Sequence, residues 1–215
     1  MKPPVVRCRQ NCSRQGSLNT EKRLTDLDLQ IIEMVRSGNS RAFSVLVDRH
    51  KDQAMTLAVR LVGERGEAEE LVQDAFVNAY RNLEQFRGDA KFSTWFYRIL
   101  YNLCMTRVTR RKAKPESLDD GEENLLRTLV NEDEISIQER MEQQEIHRLV
   151  SSEVGNLPEK LRTAILLFYV QEMSYEEVSA VMNVPLGSVK TYLHRGRHLL
   201  RQRLLVRLKE EVTAV

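Results

Sequence analysis

Lys190, Thr191, His194 and Arg195 flank an apolar stripe of Val189, Leu193, Leu200 and Leu204, spaced four, seven and four residues apart. That spacing is helical, so the four polar side chains share the outward face near the helix start. Tyr192, Arg197, His198 and Arg201 lie further round or further along it. From Val178 to Lys209 the chain carries seven Lys or Arg and no Asp or Glu. A solvated helix usually mixes both signs so that i,i+4 pairs form, and this one has no acid to pair with. Such a face fits a polyanion. Donors on its first turns can reach base edges in a major groove, while the later cations meet phosphates. His194 and His198 have a metal-ligand spacing, but no third ligand accompanies them, so no metal is expected.

Other elements must hold that helix in place. Ser174 with Glu177 forms a capping box, and Asn183-Val184-Pro185 breaks the helix it starts. Val178, Met182, Val184, Val189 and Leu193 supply apolar contacts for two crossing helices, and Ser179 supplies the small residue at the crossing. The result is a helix-turn-helix. Upstream, Ile146, Leu149, Val150 and Val154 line one helix. Pro158 stands where a first helical residue belongs, ahead of Leu161, Ala164, Ile165 and Phe168.

A second basic cluster occupies residues 106–114, with five Lys or Arg and no acid. It follows Trp95, Tyr97, Arg98, Tyr101 and Asn102. Aromatics beside positive charge suit single-stranded nucleic acid, whose unpaired bases can stack or be pocketed. Trp95 and Tyr101 fit equally well as closing residues of a helical core. Four helices lead up to this cluster. Thr25 and Asp28 suggest the start of the first, with Leu27, Ile31, Met34 and Val35 on its inner face. The second has Phe43, Leu46, Val47, Ala54, Leu57 and Leu61. The third has Ala68, Leu71, Val72, Ala75, Phe76, Ala79, Tyr80 and Leu83, with Glu69, Glu70, Gln73, Asp74, Asn78 and Arg81 on the polar side. The fourth starts at Ser93 or Thr94 and buries Phe96, Ile99, Leu100, Leu103 and Val108.

The expected fold class is therefore all-α, with two small helical domains joined by a flexible acidic linker. Residues 1–24 form a basic leader read as disordered. Residues 25–112 form a four-helix bundle, 113–137 the linker and 138–210 the helix-turn-helix unit. Residues 115–145 hold eleven Asp or Glu against two Arg, which separates the two basic modules even though the whole chain has a net charge of only +2. No apolar run approaches the length of a membrane span, and the basic start has no apolar core of a signal peptide. Three cysteines, Cys8, Cys12 and Cys104, do not build a disulfide framework, so the expected location is cytoplasmic.

The segments ELVQDAFVNAYRNLEQFRG, FSTWFYRILYNLCMTRVTRRK and LPEKLRTAILLFYVQEMSYEEVSAVMNVPLGSVKTYLHRGRHLLRQRL carry a family resemblance. In order and spacing they resemble an extracytoplasmic-function (ECF) sigma factor of bacterial RNA polymerase, sigma-E-like, from about Asp26 to Arg207. The resemblance implies a sigma region 2 and a sigma region 4 without a middle domain. It implies that Glu70, Gln73 and Asp74 dock on the polymerase β′ subunit, and that core polymerase (β and β′) is the partner. It implies that the loop Glu84–Lys91, with Phe86, Arg87 and Lys91, pockets a base of the single-stranded −10 element. Arg98, Asn102, Thr106, Arg110 and Arg111 belong to the same −10 surface. Lys190, Thr191, His194 and Arg195 match the readers of the duplex −35 element, the four that helix rotation selects. Tyr192, Arg197, His198 and Arg201 complete that face. An anti-sigma partner and a stress or envelope response are further implications. Residues 1–24 have no counterpart in the family. His194 and Thr106 differ from residues common in better-known members, so no promoter sequence is carried over.

The expected function is promoter recognition with binding energy alone, without enzyme activity, metal or cofactor; no Gly-rich phosphate loop is present. The alternative is a conventional helix-turn-helix regulator that binds duplex DNA without replacing a sigma factor. Promoter-dependent initiation with core polymerase alone separates the two.

Overall fold

The computed structural model describes residues 27–113, 146 and 148–213. The leader, most of the acidic connector and Thr25 lie outside the described residues. Every regular element among the described residues is helical. The first helix, α1, spans 27–36. Its inner face is Asp28, Ile31, Ile32 and Val35, whereas Leu27 and Met34 are exposed, so the face expected from the sequence is rotated. The cause is ionic. Asp28 is buried and takes Arg49 Nη1 at 2.9 Å and His50 Nε2 at 3.2 Å. A buried carboxylate requires such partners, and meeting them turns the helix. The carboxylate expected to help cap α1 is used across the bundle instead.

Helix α2, Phe43–Val62, buries Phe43, Leu46, His50, Ala54, Leu57, Ala58, Leu61 and Val62. Gly63 ends it at φ +85°, a conformation that costs a residue with a Cβ more than it costs glycine. Helix α3, Arg65–Arg81, starts on Glu64, whose carboxylate accepts the Gly66 and Glu67 N–H groups at 2.6 and 2.5 Å. That cap was not read from the sequence. The α3 stripe is buried as expected except Tyr80, which is exposed. Helix α4, Phe92–Ala113, begins before Ser93 and Thr94, so neither caps it. Phe92, Phe96, Tyr97, Leu100, Cys104 and Val108 form its buried face, and Phe96 stacks on Phe76 with ring centroids 4.4 Å apart. Burying aromatic rings of this size contributes on the order of 1.5–3 kcal/mol each.

In the second unit α5 spans 148–155. Ile146 and Val150 are exposed rather than inward. What ties α5 down is Glu153, 4% exposed, which meets Arg207 Nε at 3.4 Å and Arg203 Nη1 at 3.9 Å. Pro158 is the N-cap of α6, Glu159–Ile165, one residue ahead of its expected place. The chain then widens into a π turn over Leu166–Val170, where the Gln171 N–H donates to the Leu166 carbonyl. Helix α7, Tyr175–Met182, has the expected capping box of Ser174 and Glu177. Asn183, at φ 52°, ends it. Helix α8, Leu186–Thr213, follows at once. Gly196 of α8 lies where a Cβ would stand 3.0 Å from Ile165 Cγ1, so the α6–α8 contact depends on that missing methyl.

The two units touch. Helix α7 lies against α4, and α6 with its following turn reaches α2.

Candidate nucleic-acid interface

The turn before α8 is built to fix its entry angle. Ser179 Oγ donates to the Val184 carbonyl at 2.6 Å, which holds the end of α7 against the start of α8. Val178, Val189 and Leu193 are fully enclosed between the two helices, with Met182 almost so. With Val189 and Leu193 inward, Lys190, Thr191, His194 and Arg195 are exposed together, and Arg197, His198 and Arg201 are exposed beyond them. Thr191 donates its hydroxyl to the Gly187 carbonyl at 2.9 Å, leaving its oxygen to accept. Arg197 bonds back to the Leu193 carbonyl at 3.3 Å. Tyr192 is half-buried on the flank toward α4, within electrostatic reach of Tyr101. Among the described residues no three His, Cys, Asp or Glu groups cluster as a metal site.

The region around α4 is a second polar surface. Arg87 and Arg98 are exposed, as are Asn102 and Thr106, and the Thr106 hydroxyl donates to the Asn102 carbonyl at 2.8 Å. Phe86 is only 4% exposed and sits against Trp95 and Phe92 at 5.4 and 6.0 Å between centroids. It props the loop from inside and does not face outward. Trp95 keeps part of its ring accessible. Beside it an open recess of about 400 Å³ is lined by Asn78, Asn82, Gln85, Trp95, Asn102 and Thr106. Lys91 ends the loop and pairs with Glu177 of α7 at 3.2 Å. Arg110 and Arg111 are exposed at the far end, where Arg111 lies 3.8 Å from Glu67.

Glu70, Gln73 and Asp74 are exposed on the outer face of α3. Glu70 lies 3.4 Å from Arg107 Nη2, and Arg107 also meets Glu67 at 3.4 Å, so α3 and α4 are tied by a small ion-pair cluster. Next to this face Val77 and Tyr80 are exposed, lining an apolar groove with Phe43, Val47 and Phe76 between α2 and α3. Arg41 and Arg81 stand at its edge.

These two polar surfaces coincide with two matched family segments. The model for sigma-70 region 2 matches residues 46–114, and that for sigma-70, region 4 matches residues 147–200. The chain is 38% identical over 178 residues to the ECF RNA polymerase sigma factor SigW of Bacillus subtilis (strain 168), covering 80% of this chain and 94% of that one. The chain belongs to the ECF sigma factors of RNA polymerase. Its fold is similar to that of CnrH, solved in complex with the cytosolic domain of CnrY, with a TM-score of 0.59, 26% identity, and 82% of this chain and 96% of that one covered. The sigma factor RpoE of Bartonella quintana, solved with the anti-sigma factor NepR, shares the fold at a TM-score of 0.57 and 19% identity, over 76% of this chain and 97% of that one.

In this sigma factor several residues near the surfaces were not legible from the sequence. Arg36 donates through Nη2 to the carbonyls of Leu83, at 2.7 Å, and of Phe86, and so holds the start of the Glu84–Lys91 loop. The residues it binds are 47 and 50 positions away, and no local pattern marks such a contact. Asn78, Asn82 and Gln85 were only part of a polar helix face until α4 packed beside them. Val77 and Tyr80 are exposed apolar residues beside the polar face of α3, and Tyr80 had fitted the inward stripe by its spacing.

Proposed function

We propose that this sigma factor reads two promoter elements with two separately folded surfaces while its α3 face holds core polymerase. Residues 25–112 act as the −10 and polymerase unit, and 138–210 as the −35 unit. Lys190, Thr191, His194 and Arg195 contact −35 base edges, and Tyr192, Arg197, His198 and Arg201 contact the backbone. Arg87, Lys91, Arg98, Asn102, Thr106, Arg110 and Arg111 contact the −10 strand, with Phe86 shaping the loop from within. Glu70, Gln73 and Asp74 dock on β′. The observation that carries the reading is the exposed acid-free start of α8, fixed in direction by the Ser179–Val184 bond. Exposed side chains on the first turns of a rigidly aimed helix are what major-groove readout requires.

No catalytic step is assigned. Strand opening draws on binding energy alone, including an unpaired base held in the recess beside Trp95. The chain works in the cytoplasm with polymerase, and among the described residues no helix is long and apolar enough to cross a membrane. An anti-sigma protein controls it in a stress or envelope response; the RpoE relative, solved with such a partner, supports that expectation. The deciding experiment is run-off transcription with purified core polymerase and mapped start sites. Promoter-dependent initiation with no other factor is the expected result. Duplex binding without initiation would instead make the chain a conventional regulator.

A further inference from the structure

The recess beside Trp95 has a hydrogen-bonding polarity that the backbone fixes. Asn78, Asn82 and Gln85 line one side of it, and Asn102 and Thr106 the other. Asn82 Nδ2 donates to the Asn78 carbonyl at 2.8 Å, and Gln85 Nε2 donates to Asn82 Oδ1 at 3.1 Å. A backbone carbonyl can only accept, so the Asn82 amide cannot turn over without setting two oxygens against each other. Its oxygen must then face Gln85, and Gln85 must give that oxygen an N–H. The end of the relay left to meet a ligand is the acceptor Gln85 Oε1. Thr106 is held in the same way: its hydroxyl donates to the Asn102 carbonyl at 2.8 Å, so its oxygen accepts. Backbone carbonyls of α3 and α4 thus set two lining groups, Gln85 Oε1 and Thr106 Oγ1, as acceptors. The Asn102 amide carries both a donor and an acceptor and suits any base edge. Trp95, partly accessible, supplies an aromatic face on which a base can stack.

We propose that this relay makes the recess select a base with an exocyclic amine and reject thymine, with Gln85 as the discriminating residue and Asn82 as the residue that positions it. The selection rests on the −10 reading given above and names the base class for that same site. An exocyclic amine carries two hydrogens, enough for both acceptors, and adenine, cytosine and guanine each have one. Thymine has a single N3–H between two carbonyl oxygens, so one acceptor of the recess is left facing another acceptor. A site built to accept hydrogen bonds rejects a ligand that lacks the donors, because its own polar groups are then desolvated without a partner. A lone carboxamide would not discriminate, since it can turn over and offer its NH2 group instead. The Asn78–Asn82–Gln85 chain removes that freedom. It is local in origin: Asn82 reaches back one helical turn to Asn78, and Gln85 closes the 3-10 turn Leu83–Gln85 that follows α3.

The test uses the full chain bound to core polymerase and fluorescent single strands of the mapped −10 sequence. An abasic site moved along the strand finds the captured base. That base should carry an amine. Deleting the amine (adenine to purine, cytosine to 2-pyrimidinone, guanine to hypoxanthine) should weaken binding about tenfold, as should thymine in its place. Gln85→Met keeps the length of an exposed side chain and removes the acceptor. In that variant amine deletion should cost about twofold or less. Asn82→Ala frees Gln85 to turn its NH2 group toward the base, so thymine should come within about threefold of the native base. A purely structural loss would instead weaken native and thymine strands together and leave their ratio unchanged. Three results would overturn the proposal: thymine as the captured base, amine deletion that costs less than about twofold in the unaltered chain, or an unchanged ratio in either variant. If the mapped strand is preferred to a scrambled one but shows no such base selection, only this proposal falls. If the two strands bind alike, the −10 reading itself fails and the proposal falls with it.

Discussion

Arg36→Ala tests whether the Glu84–Lys91 loop must be held rigid to capture a base. Arg36 makes no contact expected of a DNA-reading residue. Its guanidinium donates to the carbonyls of Leu83 and Phe86 at the start of the loop, and lies 3.5 Å from that of Glu84. A hydrogen bond from a charged donor contributes about 1.5–3 kcal/mol when enclosed, and less where water can replace it. The Arg36 side is partly open, so about 1–2 kcal/mol for the set is the working figure. Phe86 stays packed on Phe92 and Trp95, so the fold should survive with a modest fall in stability. If the free variant's loop is disordered, base capture must first order it. The same energy then appears as a loss of about 5–30-fold in affinity for a single strand with the mapped −10 sequence. Fluorescence anisotropy with that strand and a scrambled one measures both values. The loss should be confined to the −10 sequence, and Arg36→Lys should restore little, because an ammonium cannot reproduce the planar fork. A loss equal on both strands, with rescue by lysine and a smaller salt slope, would make Arg36 a phosphate contact and refute the reasoning.

Other perturbations separate the remaining surfaces. Arg195→Ala should cost roughly 1–3 kcal/mol on the correct −35 duplex and little on a wrong one, whereas Arg201→Ala should weaken all duplexes alike and lower the salt slope by about one unit; gel shifts at several salt concentrations distinguish them. Asp74→Arg should leave thermal stability unchanged, since the side chain is exposed, and weaken core-polymerase binding by about 2–5 kcal/mol if its partner charge is buried; unchanged affinity in a folded variant removes Asp74 from the docking face. Burial alone would raise the Glu177 carboxyl, but the Ser174 N–H and the Lys91 ammonium outweigh it and hold it below the ordinary glutamate range. The stability it contributes is therefore present above about pH 4.3 and is lost as pH falls through the lowered value; Glu177→Gln should flatten that acid limb in thermal unfolding, and an unchanged limb would contradict the assignment.

How far each feature could be read from the sequence depends on what kind of force sets it. The stripe of Val189 and Leu193, the α3 stripe apart from Tyr80 and the Ser174–Glu177 box follow from burial and capping within one helix, and all three occur where their spacing puts them. The face of α1 was misread because Asp28, a charged residue, points inward, and the reason lies 21 and 22 residues away in Arg49 and His50. Thr94 looks like a cap because a hydroxyl near a helix start usually is one, but its partner is Glu177, 83 residues on. Lys91, Lys112, Glu159 and Glu177 each look like ordinary solvated charges, and only the fold shows that they pair across the two units. The same chemistry explains why the basic blocks stand out in the sequence while the contact between the two units does not. A surface that binds a polyanion must keep cations unmatched by nearby acids, and that shortage is visible in the sequence as blocks of one sign. The same unmatched cations attract any carboxylate the rest of the chain can bring to them. Which acids arrive is decided by helix caps and by the angle at which α6 and α7 meet α2 and α4, and sign alone does not encode it. Charge-block reading therefore marks candidate nucleic-acid surfaces, and it is least informative about which acids pair with them within the fold.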